Sequence, residues 1–209
     1  MRGLRPNECT EFRLNPLPLT RCWETTDPLY LAYHDEEWGR PVRDERGILE
    51  RLCLEGFQSG LSWLTILRKR EGFRAAFERF DPERVAAFGA RDVERLLADA
   101  SIVRHRGKIE AAIANARATV ALRESTPLHE LFWSFAPESH EHPRTGSDWQ
   151  ASTPESVALA KALRRAGFRF VGPTTLYAAM QACGVVNDHL EDCWVRDAVE
   201  RERIVALAT

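Results

Sequence analysis

Apolar side chains in this chain recur at intervals of three and four positions, the spacing of helices that bury one face. Val93, Leu96, Leu97 and Ala100 form one stripe, and Ile109, Ala112, Ile113, Ala116 and Val120 form another. Leu159 and Leu163 begin a third, and Ile66, Phe73, Phe77 and Phe80 mark a fourth. Helix starts are written beside these stripes. Asp81-Pro82-Glu83 and Thr153-Pro154-Glu155 each supply an N-cap side chain, a proline at the first helical position and an acid in the first turn. Gly172-Pro173-Thr174 offers proline entry again. Gly89, Gly167 and Gly184 are placed to end helices in the left-handed conformation. The best strand candidate, 168–171, is too short to matter. The pattern predicts an all-α fold.

Residues 1–20 are polar and proline-containing and read as a mobile extension. Residues 137–152, with Pro137, Pro143, Gly146 and three serines, read as a long loop between helices, with His140 and His142 solvated. The folded domain is expected over 21–195, followed by a C-terminal tail at 196–209. With 209 residues, 44% hydrophobic and 29% charged, the chain has the composition of an ordinary soluble globular protein. No apolar run is long enough to cross a bilayer, and the first twenty residues hold no apolar signal segment. Five cysteines are too few and too scattered for a disulfide framework, so a reducing cytoplasm is the expected compartment.

The formal charge of −2 argues against indiscriminate polyanion binding but hides a regional polarity. Residues 24–55 carry nine acids against four arginines. Between Lys161 and Arg169 there are four bases (Lys161, Arg164, Arg165 and Arg169) and no acid.

Two groups of residues carry candidate chemistry. Cys22 and His34 lie near the start of the folded region, and His189 and Cys193 near its end. The i, i+4 spacing of the second pair would put both side chains on one helical face. Two thiolates and two imidazoles would form a closed tetrahedral zinc site that ties the ends together and leaves no position for water. The spacing alone equally fits buried thiols and surface histidines. Cys53 and Cys183 lie in apolar stretches and read as core. The second group, Tyr30, Tyr33, Trp38, Glu55, Gln58 and Trp63, combines aromatic faces with a carboxylate set among apolar neighbours. Burial without a partner would raise the pKa of Glu55 or demand a cation beside it. Such a set suits a flat, positively charged ring, although aromatics at helical spacing are also ordinary core.

Five motifs in order go further. Arg21-Cys22-Trp23 with Asp27-Pro28-Leu29-Tyr30 and Tyr33-His34-Asp35-Glu36-Glu37-Trp38-Gly39 resembles the opening of the type I 3-methyladenine DNA glycosylases. The stretch from Leu54 through Glu55, Gly56, Phe57, Gln58 and Ser59 to Trp63 is similar to that family's pocket segment. Arg104-His105-Arg106-Gly107-Lys108-Ile109, Gly167 to Gly172 and Asn187-Asp188-His189 follow in family order, so that the resemblance spans residues 21 to about 194.

The resemblance implies a helix–hairpin–helix glycosylase fold, with Gly167–Gly172 as the hairpin, Pro173 opening its second helix, and Cys22, His34, His189 and Cys193 as ligands of a structural zinc. It implies DNA contact through Gly167, Arg169, Gly172, Lys161, Arg164 and Arg165. It also implies a monomeric base-excision enzyme that hydrolyses the glycosidic bond of 3-methyladenine in double-stranded DNA. Trp63 and Tyr30 would stack on the base, Tyr33 and Glu55 would read its edge, Trp38 would wall the pocket, and Glu55 would be the catalytic residue. Asp188 receives no catalytic role. Pro173, Thr174 and Thr175 stand where bifunctional relatives carry a lysine, so strand cleavage is not expected. Phe57 leaves the breadth of base preference open. Two alternatives stand beside this reading: a zinc-stabilised lesion binder without turnover, and a zinc hydrolase using Glu55 as base.

Overall fold

The structure, a computed structural model, describes residues 19–208, so most of the segment expected as an N-terminal extension lies outside the described residues. Ten α-helices are present among them: α1 (Pro28–Glu36), α2 (Glu45–Gln58), α3 (Trp63–Ala76), α4 (Pro82–Ala86), α5 (Ala90–Ala98), α6 (Arg106–Leu122), α7 (Leu128–Trp133), α8 (Pro154–Arg165), α9 (Pro173–Ala182) and α10 (Arg196–Leu207). No strand occurs among the described residues, as the hydrophobic periodicity requires. The chain is cut into short helices by its own capping chemistry. Asp27 accepts from Leu29 N at 3.0 Å with Pro28 as first helical residue, and Asp44 accepts from Gly47 N at 2.8 Å. The two caps read from the sequence also form: Asp81 accepts from Arg84 N and Thr153 from Ser156 N.

Two apolar clusters organise the packing. The larger is centred on α2, whose residues 48–50 and 52–57 are all buried. α2 contacts α3, α6, α7 and α9, while α6 also packs on α4 and α5, and α8 on α9. The stripes read from the sequence bury except at one end: Val93 and Leu96 of α5, Ile109, Ala112, Ile113 and Ala116 of α6, Leu159 and Leu163 of α8, and the row Ile66, Phe73, Phe77, Phe80 are buried, whereas Ala100 lies beyond α5 and is exposed. The smaller cluster joins Cys22, Tyr33 and Trp38 near the start of the chain to Ala182, Cys193, Val195 and Val199 near its end, with Leu67 between. The two ends therefore share one core, and the sites described below sit on it.

Several local expectations change. Gly167 and Gly184 do close helices at positive φ (+97° and +72°), but Gly89 has φ −116° and instead begins α5, where its N–H donates to Asp92. At Gly184 a Cβ would lie 2.5 Å from the Gly39 carbonyl oxygen, so the backbones approach too closely for any other residue. The segment from 196 is helical through Leu207 and buries Val199, Arg203 and Ala206. His189 and Cys193 do not share a helix, because 187–190 is irregular and 191–192 is a turn.

The connection between α8 and α9 is held from below by α6. Asn115, 2% exposed, accepts from Arg169 N at 2.7 Å and donates to Arg169 O at 3.2 Å. One buried amide thus satisfies both backbone groups of a residue in an irregular segment, where no ladder could do so. Asn115→Ala is expected to lower stability by about 1–3 kcal/mol, because it leaves both groups unpaired, and urea unfolding of the two proteins measures the difference.

Candidate binding cavity and metal-ligand cluster

α1, α2 and α3 meet around a cavity of about 260 Å³. Tyr30 and Tyr33 reach it from α1, one helical turn apart, Glu55 and Gln58 from α2, and Trp63 from the first position of α3. Trp23 and Trp38 complete this side. The rings hold one another at distances typical of aromatic pairs: Tyr33 and Trp63 at 5.2 Å between centroids, Trp23 and Tyr30 at 5.2 Å, and Trp23 and Trp38 at 5.0 Å. All six residues of the sequence-derived aromatic and carboxylate group therefore line one space.

Sequence reasoning missed part of the wall. Trp149 and Gln150 come from the segment expected to be an unstructured loop, and Ala178 and Gln181 come from α9. Only Trp23 among the added residues belonged to a motif noted from the sequence. Nothing in the spacing of the others could place them there, since their approach depends on how distant elements pack.

Glu55 is the chemical centre of the cavity. Its side chain is carried on buried α2, is 7% exposed and makes no hydrogen bond among the described residues. Burial pushes its pKa up to about 8, against a smaller downward pull from Arg51. Arg51 is also drawn towards Glu37 at 3.7 Å and Glu50 at 3.4 Å. Burial first and Glu55 second also raise the pKa values of Tyr30 and Tyr33, so both phenols keep their protons. The indole Nε1 atoms of Trp23 and Trp63 are buried without an acceptor. The cavity is thus an aromatic box with one uncompensated carboxyl, which favours a planar ligand that brings positive charge or hydrogen-bond donors.

A second site adjoins it. One ligand atom from each of Cys22, His34, His189 and Cys193 lies within 4.8 Å of the others, and all four residues are buried. Cys22 Sγ is 3.2 Å from His189 Nδ1, and Cys193 Sγ is 3.3 Å from the same atom and 3.5 Å from His34 Nε2. The other ring nitrogens are occupied: His34 Nδ1 by Asp35 at 2.8 Å and His189 Nε2 by the Trp38 carbonyl at 3.0 Å. Those contacts leave His34 Nε2 and His189 Nδ1 facing the thiols, an arrangement that could hold a metal ion. Trp38 packs on His189 at 4.6 Å, so one ring serves both the cavity and the cluster. Cys53 and Cys183 are buried in the larger core, and no disulfide joins the described cysteines.

His140 and His142 are not solvated as expected. His140 Nε2 lies 2.6 Å from Asp188 Oδ1, and His142 Nδ1 lies 3.1 Å from the Asn187 carbonyl. The buried Asp188 carboxylate also accepts from Tyr177 OH at 2.7 Å and from Gln181 Nε2 at 2.6 Å. These donors overcome desolvation and hold Asp188 below the usual carboxylate range. Asp188 thus binds three side chains at once, Gln181 of the cavity wall among them.

The basic residues named from the sequence lie on another part of the surface. Lys161, Arg164, Arg165 and Arg169 are exposed, and none forms an ion pair among the described residues. Lys161, Arg164 and Arg165 line a groove with Pro173, and the Arg164 guanidinium lies near Gly172 at the start of α9.

A family model described as methyladenine glycosylase matches residues 23–197. The chain is 51% identical over 179 residues to the DNA-3-methyladenine glycosylase 1 of Escherichia coli (strain K12), an alignment covering 84% of this chain and 96% of that protein. The fold is similar to a crystal structure of 3-methyladenine DNA glycosylase I, with a TM-score of 0.81 and 51% identity over 84% of this chain and 98% of that one. It is also similar to a Staphylococcus aureus 3-methyladenine DNA glycosylase I solved to explain recognition of 3-methyladenine (TM-score 0.78, 36% identity, 82% of this chain and 93% of that one).

The state of Glu55 can be tested without any ligand. Its pKa is 4.5 by default and about 8 in the folded protein, so over that interval the folded state binds the extra proton. Stability is therefore lost as pH rises from about 4.5, and the penalty is complete above about 8. The melting temperature of the wild type is expected to fall relative to that of Glu55→Gln across this range. Parallel curves would mean that the carboxyl is not held neutral.

Proposed function

The chain belongs to the methyladenine glycosylase family, and from that premise we propose how its cavity, its metal-ligand cluster and its basic helix act on alkylated DNA. The activity is hydrolysis of the N-glycosidic bond of 3-methyladenine, a monofunctional base excision that leaves the strand uncut. The observation that carries the mechanism is the buried Glu55 carboxyl, without a hydrogen bond, in a cavity of aromatic faces.

Methylation at N3 gives the adenine ring a positive charge, so the base is already a good leaving group and needs little help from an acid. The nucleotide must first leave the stack, at a cost of a few kcal/mol that is lower where the lesion weakens pairing. Trp63 and Tyr30 stack on the extruded base, Tyr33 and Glu55 read its edge, and Trp38 closes the wall. Burial keeps Glu55 largely neutral until a base arrives. A cationic base reverses the balance: the carboxyl ionises, its proton passes to solvent, and the carboxylate pairs with the ring. When the bond breaks, its electron pair goes to the base and positive charge appears on the sugar, which water attacks, losing a proton to solvent as the sugar hydroxyl forms. A neutral base gains none of this pairing, so selection precedes chemistry.

We read α8, residues 166–172 and α9 as a helix–hairpin–helix element that grips the DNA backbone. The support is the left-handed Gly167, the unpaired Lys161, Arg164, Arg165 and Arg169, and the start of α9 at Gly172, where no side chain caps the first amides. This local cationic edge lets a protein of net charge −2 bind a polyanion.

The ligand set fits zinc. Tetrahedral zinc with sulfur and nitrogen ligands places those atoms about 3.5 Å apart, and the sulfur–nitrogen distances here are 3.2, 3.3 and 3.5 Å. Cys22, His34, His189 and Cys193 would hold it, and it would supply folding stability, since four protein ligands leave no place for water. No helix among the described residues is long and apolar enough to cross a membrane. We infer a monomer acting in a reducing cytoplasm, in keeping with the free thiols.

Purified protein is expected to release free 3-methyladenine from methylated DNA. Glu55→Gln should fold, bind undamaged DNA normally and lose about a hundredfold in release; release at the wild-type rate would remove Glu55 from its role. Cys193→Ala is expected to lower zinc content and to drop the melting temperature by about 5 °C or more. Loss of zinc at constant melting temperature would show that the cluster is not a clamp.

A further inference from the structure

Most of the aromatic wall of the cavity comes from the first part of the chain, but one side is closed by Trp149 and Gln150. We propose that Trp149 is a base-contacting, specificity-determining residue, and that the segment 137–152 is a built wall of the binding cavity. The inference rests on the glycosylase reading of that cavity.

The segment is anchored at several points, and every anchor falls on the same short stretch, residues 187–191. The Trp149 indole N–H donates to the Asp188 carbonyl at 3.0 Å. His140 pairs with the Asp188 carboxylate, His142 with the Asn187 carbonyl, and Glu191 N donates to the Pro143 carbonyl at 3.1 Å. Between Thr145 and Asp148 the loop is stiffened by its own turn, in which the Asp148 carboxylate accepts from Arg144 N and Thr145 N. A loop that merely bridged two helices would not carry this many specific contacts to one partner.

The chemistry at the cavity fits the anchoring. The N–H of Trp149 is committed to a carbonyl, so its apolar ring is what remains for a ligand, and that ring packs beside the cluster containing Tyr33 and Trp38. An indole face stacks on a purine and attracts a cationic one more strongly. The Gln150 carboxamide has no hydrogen bond among the described residues and sits on the same wall. A further aromatic face in the cavity that Trp63 and Tyr30 line would tighten the grip on a flat base and limit how large an adduct fits.

The test measures inhibition by free 3-methyladenine, using the full-length zinc-loaded protein and methylated DNA. Trp149→Leu fills much of the same space without a planar ring, and Trp149→Phe restores a ring without the N–H. The two variants lose the same indole N–H, so they are expected to share the same small drop in melting temperature, and the leucine variant to keep the wild-type zinc content and affinity for undamaged DNA. Its affinity for 3-methyladenine should fall about tenfold, or about 1.4 kcal/mol, with phenylalanine recovering most of the loss. Binding by the leucine variant within about twofold of wild type would overturn the proposal while leaving the enzyme's activity as the wild type shows it. A wild type that neither released nor bound the base would defeat the functional reading, and this proposal with it.

Discussion

A carboxyl group carried on a buried helix into an aromatic cavity, with no hydrogen bond to hold its charge, is the constraint on which the rest of this structure turns. Glu55 is only 7% exposed, because α2 packs against α3, α6, α7 and α9. Its charge is little compensated locally, because Arg51, the cation that acts on it, is shared with two other carboxylates. The protein therefore carries an unmet electrostatic requirement at the place where Trp63, Tyr30, Tyr33 and Trp38 offer flat apolar faces. In the proposed mechanism, a methylated adenine supplies the missing charge and fits the faces, whereas an unmodified adenine supplies only the shape. Discrimination of this kind needs no elaborate acid–base machinery, because the lesion itself has already weakened the bond to be cut.

The requirement is costly to maintain, and the surrounding architecture is densely hydrogen-bonded. Residues 187–191 act as a hub. His189 belongs to the metal-ligand cluster and donates its Nε2 proton to the Trp38 carbonyl; Asp188 gathers Tyr177, Gln181 and His140, and its backbone carbonyl holds the segment that bears Trp149. Cluster and cavity are not separate modules, since Trp38 packs on His189 and Gln181 lines the cavity while bonded to Asp188. A metal ion held by residues from both ends of the domain would brace the aromatic wall as well as the fold. Hydrogen bonding does the same between α8 and α9, where buried Asn115 fixes the connection.

Much of this protein was legible in one dimension because its signals are local. Helical periodicity, the Asp81 and Thr153 caps, and the left-handed glycines at 167 and 184 depend on neighbours within a turn or two, and all appear as written. Tyr30 and Tyr33, one helical turn apart on α1, reach the cavity together for the same reason. Gly89 misled because a glycine between helices can end one or begin the next, and only its φ value distinguishes them.

What sequence alone determined was the inventory: an all-helical chain, a carboxyl among apolar neighbours, two thiols and two imidazoles near the ends of the domain, and a cationic stretch without acids. Tertiary structure decided which members of that inventory meet. His189 and Cys193 converge through an irregular turn rather than a helical face, and His140, His142, Trp149 and Gln181 acquire partners far away along the chain. The burial of Glu55 was decided in the same way. Periodicity reports the environment a residue shares with its near neighbours, whereas desolvation and long-range hydrogen bonds depend on what packs from the other side.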